Sequence, residues 1–197
     1  VTTPTCEPPA AAAFEPAPIR LANLWWVSLA LAAMIGVIAS GNLWALNFPH
    51  VGAGLLWTGI DLFMGFVLGP ALRRTPFEVR RAVMTQLTPR TIFILPTLSI
   101  ITGTTGWYLA RDFGLLDTPW PAFGWVVAAL VVLVVLTVQG IGMLLPTQLR
   151  VYHELRKPEP DRQKIQRLSA SYFYIVAAQG VMQIAIIAIM AKFRMGL

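Results

Sequence analysis

The chain has 197 residues, of which 56% are hydrophobic and only 12% are charged, with a formal net charge of +6. So few charges leave too little polar surface to solvate a soluble domain of this length. The positive balance is not a nucleic-acid footprint, because the basic residues gather at the ends of apolar runs, which is how membrane topology is written.

Residues 1–20 are rich in Pro, Ala and Thr, carry Glu7 and Glu15, and lack an early basic cluster. They read as a disordered cytoplasmic tail, not a secretory signal. Cys6 lies here, with no second cysteine for an internal disulfide. From residue 21 to 197 the chain reads as one transmembrane helical bundle. No Asp, Glu, Lys or Arg occurs between Leu21 and Pro49, Thr91 and Ala110, Phe123 and Leu145, or Ala170 and Met190. Each run is long enough to cross a hydrocarbon core of about 30 Å, which takes about 20 helical residues.

The first span is expected over about 23–45, with Trp25 and Trp26 near one interface and Trp44 near the other. Asn47, Phe48 and Pro49 are expected to form an outer turn, with Pro49 opening the second helix, where its missing N–H costs nothing. The second span then covers 50–72 and holds a single charge, Asp61. A basic stretch, Pro76 to Arg90, reads as lying along the inner surface before the third span at 91–110. The polar face of that span, Pro96, Thr97, Ser99, Thr102, Gly103, Thr104 and Thr105, reads as a packing seam. The fourth span covers 122–146. Lys157-Pro158-Glu159-Pro160-Asp161 breaks the following helix before a fifth span at 170–191. The fold class is therefore all-α, a polytopic bundle of about five spans, with a four-helix core and an additional N-terminal span. Long unbroken apolar runs, rather than alternating ones, exclude a β-barrel.

Charge sets the orientation. Arg20, the loop with Arg73, Arg74, Arg80, Arg81 and Arg90, and the loop with Arg150, Arg156, Lys157, Arg162, Lys164 and Arg167 hold twelve of the fifteen basic residues. The positive-inside rule puts these in the cytoplasm, so the N-terminus is inside and the C-terminus outside.

Chemistry concentrates on the second span. His50, Gly54, Trp57, Asp61 and Met64 fall within about 40° of one helical line, with Asp61 roughly 16 Å deeper than His50. A carboxyl at mid-membrane costs about 2.5–3.5 kcal/mol on insertion scales, so Asp61 should face the bundle interior. No span offers it a Lys or Arg. Its available partners are Gln139 on span four and Gln179 and Gln183 on span five, the latter two on one face. Asp61 is thus expected to be largely protonated or set against water. A hydrogen-bonded helix clamp and a proton-handling or quinone-facing group both stay open for it.

His50 admits three readings: an interfacial anchor, a haem ligand through imidazole, or a copper ligand. A six-coordinate haem would need a second axial ligand at the same level, and Met190 and Lys192 are the candidates. Copper is the weakest, since it calls for several converging His, Met or Cys donors and the seven Met residues are scattered. His153 reads as a solvated interfacial residue. Gly52 and Gly54, and Gly140 and Gly142, read as places of close helix approach. No hydrolase, nucleotide-binding or zinc-protease motif is present.

His50, Trp57, Gly59 and the exit Gly69-Pro70-Ala71-Leu72-Arg73-Arg74 resemble the first helix of small bacterial membrane proteins related to copper-resistance protein D, a group distantly similar to membrane protoporphyrinogen oxidase. The resemblance extends to Thr102-Gly103, to Pro146 and Arg150, and to a Gln-bearing last span. It implies a four-helix bundle in the bacterial cytoplasmic membrane and permits a b-type haem on the outer-level histidine. Asp61 and the N-terminal span depart from that pattern, and the Lys-bearing helix of the haem oxidase is not recognisable.

The resulting expectation is a membrane redox protein or redox-complex subunit, with His50 and Trp57 beside haem b, and Asp61, Gln139, Gln179 and Gln183 in a polar pocket for a proton or a quinone. A non-catalytic subunit, or a protein assisting copper uptake or resistance, is the alternative. Partners follow from the class: the lipid bilayer, other membrane subunits or further copies of the chain, and no nucleic acid.

Overall fold

A computed structural model describes residues 18–195, so the expected tail at 1–20 lies almost wholly outside the described residues. The described chain is helical throughout, without strands. Five helices are long and apolar enough to cross a membrane: α1 (Leu21–Ala39), α2 (Leu43–Arg73), α3 (Phe77–Asp112), α4 (Phe123–Leu155) and α5 (Arg162–Arg194). This is a multi-pass membrane protein, and lipid is the solvent of its outer face.

The turn between α1 and α2 is not at 47–49. It lies at Ser40-Gly41-Asn42. Gly41 adopts φ +64°, a left-handed conformation that glycine reaches without steric cost. Asn42 then caps α2, its Oδ1 accepting from the N–H of Ala45 at 3.1 Å. Pro49 falls inside α2 rather than at its start, so His50 sits about 10 Å along the helix from Leu43 instead of opening it.

The basic stretch after Pro76 is also not a separate surface helix. It forms the opening turns of α3, one continuous helix of 36 residues. At about 1.5 Å per residue this helix is about 54 Å long, well beyond a hydrocarbon core of about 30 Å, so its basic end projects into the interface. Arg81 ties that projection to the neighbouring helix. Its Nε donates to the carbonyl of Leu155 at 2.9 Å and its Nη2 to that of Lys157 at 3.1 Å, satisfying carbonyls that the end of α4 leaves open. Beside them Glu154 receives Lys157 and Lys164, each at 2.9 Å. Asp161 caps α5 through the N–H of Lys164.

Helices α2–α5 form the bundle. Successive contacts run in opposite directions along each pair, Gly54 against Thr102 and Gly106 against His50, then Leu62 against Gly180 and Gly65 against Ala177, so the helices are antiparallel. The tightest seam joins α2 to α5. A Cβ on Gly65 would lie 2.6 Å from Ala177 Cα, and one on Gly69 would lie 2.8 Å from the Phe173 ring. Two glycines four residues apart let the backbones meet, as small residues do between membrane helices. Gly52, Gly140 and Gly142, expected to serve this purpose, face open space, and Gly54 makes only ordinary contact with Thr102. At the basic end Met64, Leu72, Met84, Val151, Leu155 and Tyr172 pack into one apolar core. Helix α1 leans on α2 and α3 from outside, with Met34 its one buried residue.

Candidate functional site

Asp61 is the centre of a fully buried polar group in the bundle. Its exposure is 0%, and Trp57, Gln179 and Gln183 around it are also buried. The stripe read from the sequence therefore points inward, as the cost of a carboxyl in hydrocarbon requires. Gln183 Nε2 donates to Asp61 Oδ2 at 3.0 Å. Gln179 and Trp57 also bring hydrogen-bonding side chains within reach of the carboxyl. Asp61 Oδ1 has no partner among the described residues, and the same holds for Gln179 Oε1, Gln183 Oε1 and Tyr172 Oη. Buried polar atoms are ordinarily paired, so four orphans in one neighbourhood mark a place built for water or a polar ligand.

A cavity of about 80 Å³ adjoins them, with Trp57, Asp61, Gln148, Tyr172 and Gln179 in its wall. It has room for several waters, and is far smaller than the roughly 300–1,000 Å³ of a pocket that encloses a whole organic ligand. Toward the basic end, Gln148 Nε2 donates to Thr91 Oγ1 in a buried pair. Two departures from α-helical geometry frame the site. The backbone widens to a π-helix over Phe63–Leu68, directly after Asp61, and again over Val138–Leu144 on α4. Such segments recur at functional sites because they re-aim side chains that a regular helix would hold elsewhere.

The three glutamines expected around Asp61 divide. Gln179 and Gln183 are there, whereas Gln139 is half-buried and is not in the cavity wall, although Thr137, Gly140 and Ile141 are. Sequence reasoning missed Tyr172 and Gln148, which look like ordinary interfacial residues until the helices are placed.

His50 belongs to a different neighbourhood. Its ring packs on Gly106, where a Cβ would come within 2.7 Å of His50 Cε1. Its Nδ1 lies 3.0 Å from the carbonyl oxygen of Thr102. A carbonyl can only accept, so Nδ1 carries the proton and the lone pair is on Nε2. Thr105 Oγ1 stands 3.5 Å from the same nitrogen. Much of the hydroxyl face of α3 is thus the seam it was expected to be, while Pro96 and Ser99 on the same helix line the cavity.

The antiparallel register of α2 and α5 brings the end of α5 to the level of His50, but no described contact joins His50 to Met190 or Lys192. Trp57, expected beside the same cofactor, sits with Asp61. A second, apolar crevice of about 350 Å³ lies between α1 and α2, lined by Met34, Val37, Trp44, Phe48 and Pro49. His50 is in the wall of neither cavity. Among the described residues, no three His, Cys, Asp or Glu side chains converge as metal ligands would. His153 is exposed and bonds only to the carbonyl of Leu149, at 2.7 Å.

Comparison with protein-family models, with curated proteins and with solved structures finds no match. The functional reading accordingly rests on the geometry around Asp61 and His50.

Proposed function

We propose that the protein is a proton-handling subunit of a redox complex in the bacterial cytoplasmic membrane, with Asp61 as the group that takes up and releases the proton. One observation carries this reading. A fully buried carboxyl has one oxygen held by Gln183 and the other, with Gln179 and Trp57 nearby, in no hydrogen bond among the described residues, beside a cavity of water size. A helix clamp would use both oxygens, since leaving one unmade in the interior costs about 1–3 kcal/mol. An exchangeable proton needs one fixed oxygen to hold the side chain and one free oxygen facing water.

Infrared spectroscopy of the protein in lipid nanodiscs tests it. A protonated-carboxyl band that titrates with pH and vanishes in Asp61→Asn is the expected result. A carboxyl band that does not respond across the physiological pH range refutes proton handling.

The redox assignment rests on His50. An imidazole whose Nδ1–H is fixed by a backbone carbonyl presents Nε2 in the way that metal-ligating histidines do. That nitrogen lies in the wall of neither cavity described above, so a haem there would be shared with a partner subunit. Purified complex should show a Soret band that shifts on reduction and is lost in His50→Ala; colourless complex with all subunits present removes haem from the proposal. A copper-uptake role has less support, because no cluster of donors accompanies His50.

A further inference from the structure

The wall of the cavity beside Asp61 is shared by α3 and α4. One lip is α3, with Leu95, Pro96 and Ser99; the other is α4, with Thr137, Gly140 and Ile141. Thr137 is exposed and Ile141 is 61% exposed. The α4 lip lies within the charge-free stretch from Phe123 to Leu145, so what meets it is hydrocarbon, not water. Gly140 and Ile141 of this lip fall in the π-helical turn Val138–Leu144. Gly140 there has no Cβ, and a built one would find nothing within 4 Å. A visitor to this crevice arrives through the plane of the bilayer.

The floor of the crevice is polar. Asp61, Tyr172 and Gln179 are each at most 1% exposed, and each has an oxygen without a partner among the described residues. When Asp61 is ionised, its free oxygen and the Gln179 amide oxygen can only accept, and Tyr172 has one proton to give. The set is therefore short of donors. A ketone or ester carbonyl would add a further acceptor, whereas a hydroxyl supplies what is missing. At about 80 Å³ the space lodges the hydroxyl end of a molecule and leaves its hydrocarbon part between α3 and α4 in the lipid.

We infer that this crevice is a lateral binding site for the hydroxyl group of a membrane-dissolved molecule, of the hydroquinone or long-chain alcohol kind, received by Asp61 and Gln179. The inference rests on Asp61 being the functional carboxyl and adds to it the route and the chemistry of what meets it.

The test uses the full chain in nanodiscs under anaerobic conditions with three probes: a short-chain alkyl hydroquinone, its dimethyl ether, and an alkanol of similar length. The hydroquinone is expected to raise the thermal midpoint and shift the Asp61 carboxyl band, and the ether to do neither. An alkanol that matches the hydroquinone assigns the site to hydroxyl compounds generally; an inert alkanol narrows it to hydroquinones. Gly140→Leu and Ser99→Leu, which add apolar bulk at the two lips, should each weaken hydroquinone binding about tenfold. Binding of the ether as tight as that of the hydroquinone, or full binding in both lip variants, overturns the inference. Loss of the titration alone would instead sink proton handling, since the midpoint shifts still report on the crevice.

Discussion

Replacing Gly65 with Ala puts one methyl group into the tightest contact of the bundle. The new Cβ would lie 2.6 Å from Ala177 Cα, 2.7 Å from its Cβ and 2.8 Å from its N. Carbon atoms rest at about 3.5–4.0 Å, so α5 must withdraw from α2 by about 1 Å. Two of the three obstructing atoms are backbone, and no side-chain rotation relieves them. The displacement acts one helical turn from Asp61, where the bond from Gln183 would stretch from 3.0 Å to about 4 Å and break. Overpacking of this kind costs about 1–3 kcal/mol, and the lost hydrogen bond about 1 kcal/mol more. Denaturant unfolding in mixed micelles should show a loss of about 2–4 kcal/mol, together with a changed Asp61 carboxyl band. Gly59→Ala, six residues earlier on a side with nothing within 4 Å, is the control and should be close to neutral. Ala177→Gly in the Gly65→Ala background should rescue only in part, because it removes one of the three contacts. If Gly65→Ala unfolds like the wild type, the α2–α5 seam is not as close as described.

Gln183→Leu should cost about 1–3 kcal/mol by leaving Asp61 without its fixed partner, and Asp61→Asn in that background should recover part of it; equilibrium unfolding of the two variants checks this. Arg81→Lys should lose about 1 kcal/mol, because an ammonium cannot fork to the carbonyls of Leu155 and Lys157 together; the same measurement applies, and no change would mean the fork is ornamental. Gly41→Ala should destabilise by about 1–2 kcal/mol through its left-handed φ, whereas Gly41→Asn should be milder. Glu154→Gln removes the carboxylate that holds Lys157 and Lys164, and limited proteolysis within 156–161 should accelerate in response; an unchanged cleavage rate would show that the Arg81 fork alone secures the loop.

The spans were legible because hydrocarbon permits so few charges, and Asp61 stood out for the same reason. Its pairing with Gln183 followed from residue type and from the spacing of Gln179 and Gln183. The α1–α2 turn was misplaced although its signals, Gly41 followed by Asn42, are ordinary ones; Pro49 drew attention away because a proline in a soluble helix so often marks its start. The Gly65-x-x-x-Gly69 seam was likewise present in the sequence but stood among thirteen other glycines and alanine-rich runs, where spacing alone does not tell a contact from an open face. Gln139 was assigned by chemistry alone, and the π-helical turn around it displaces side chains from the positions a regular 100° step assigns. No residue pattern announces that turn. The lateral route inferred for the cavity turns on how α3 and α4 are placed, which has no local signature in the sequence.

Helix α1 has one buried residue and presents Trp25, Leu29 and Ile35 outward. It leaves the ribosome before α2–α5, yet none of the contacts that position Asp61 or His50 requires it. Membrane helices insert individually and associate afterwards. Of these five helices the one synthesised earliest is thus not required for the polar site, and its attachment is separable in time from formation of that site.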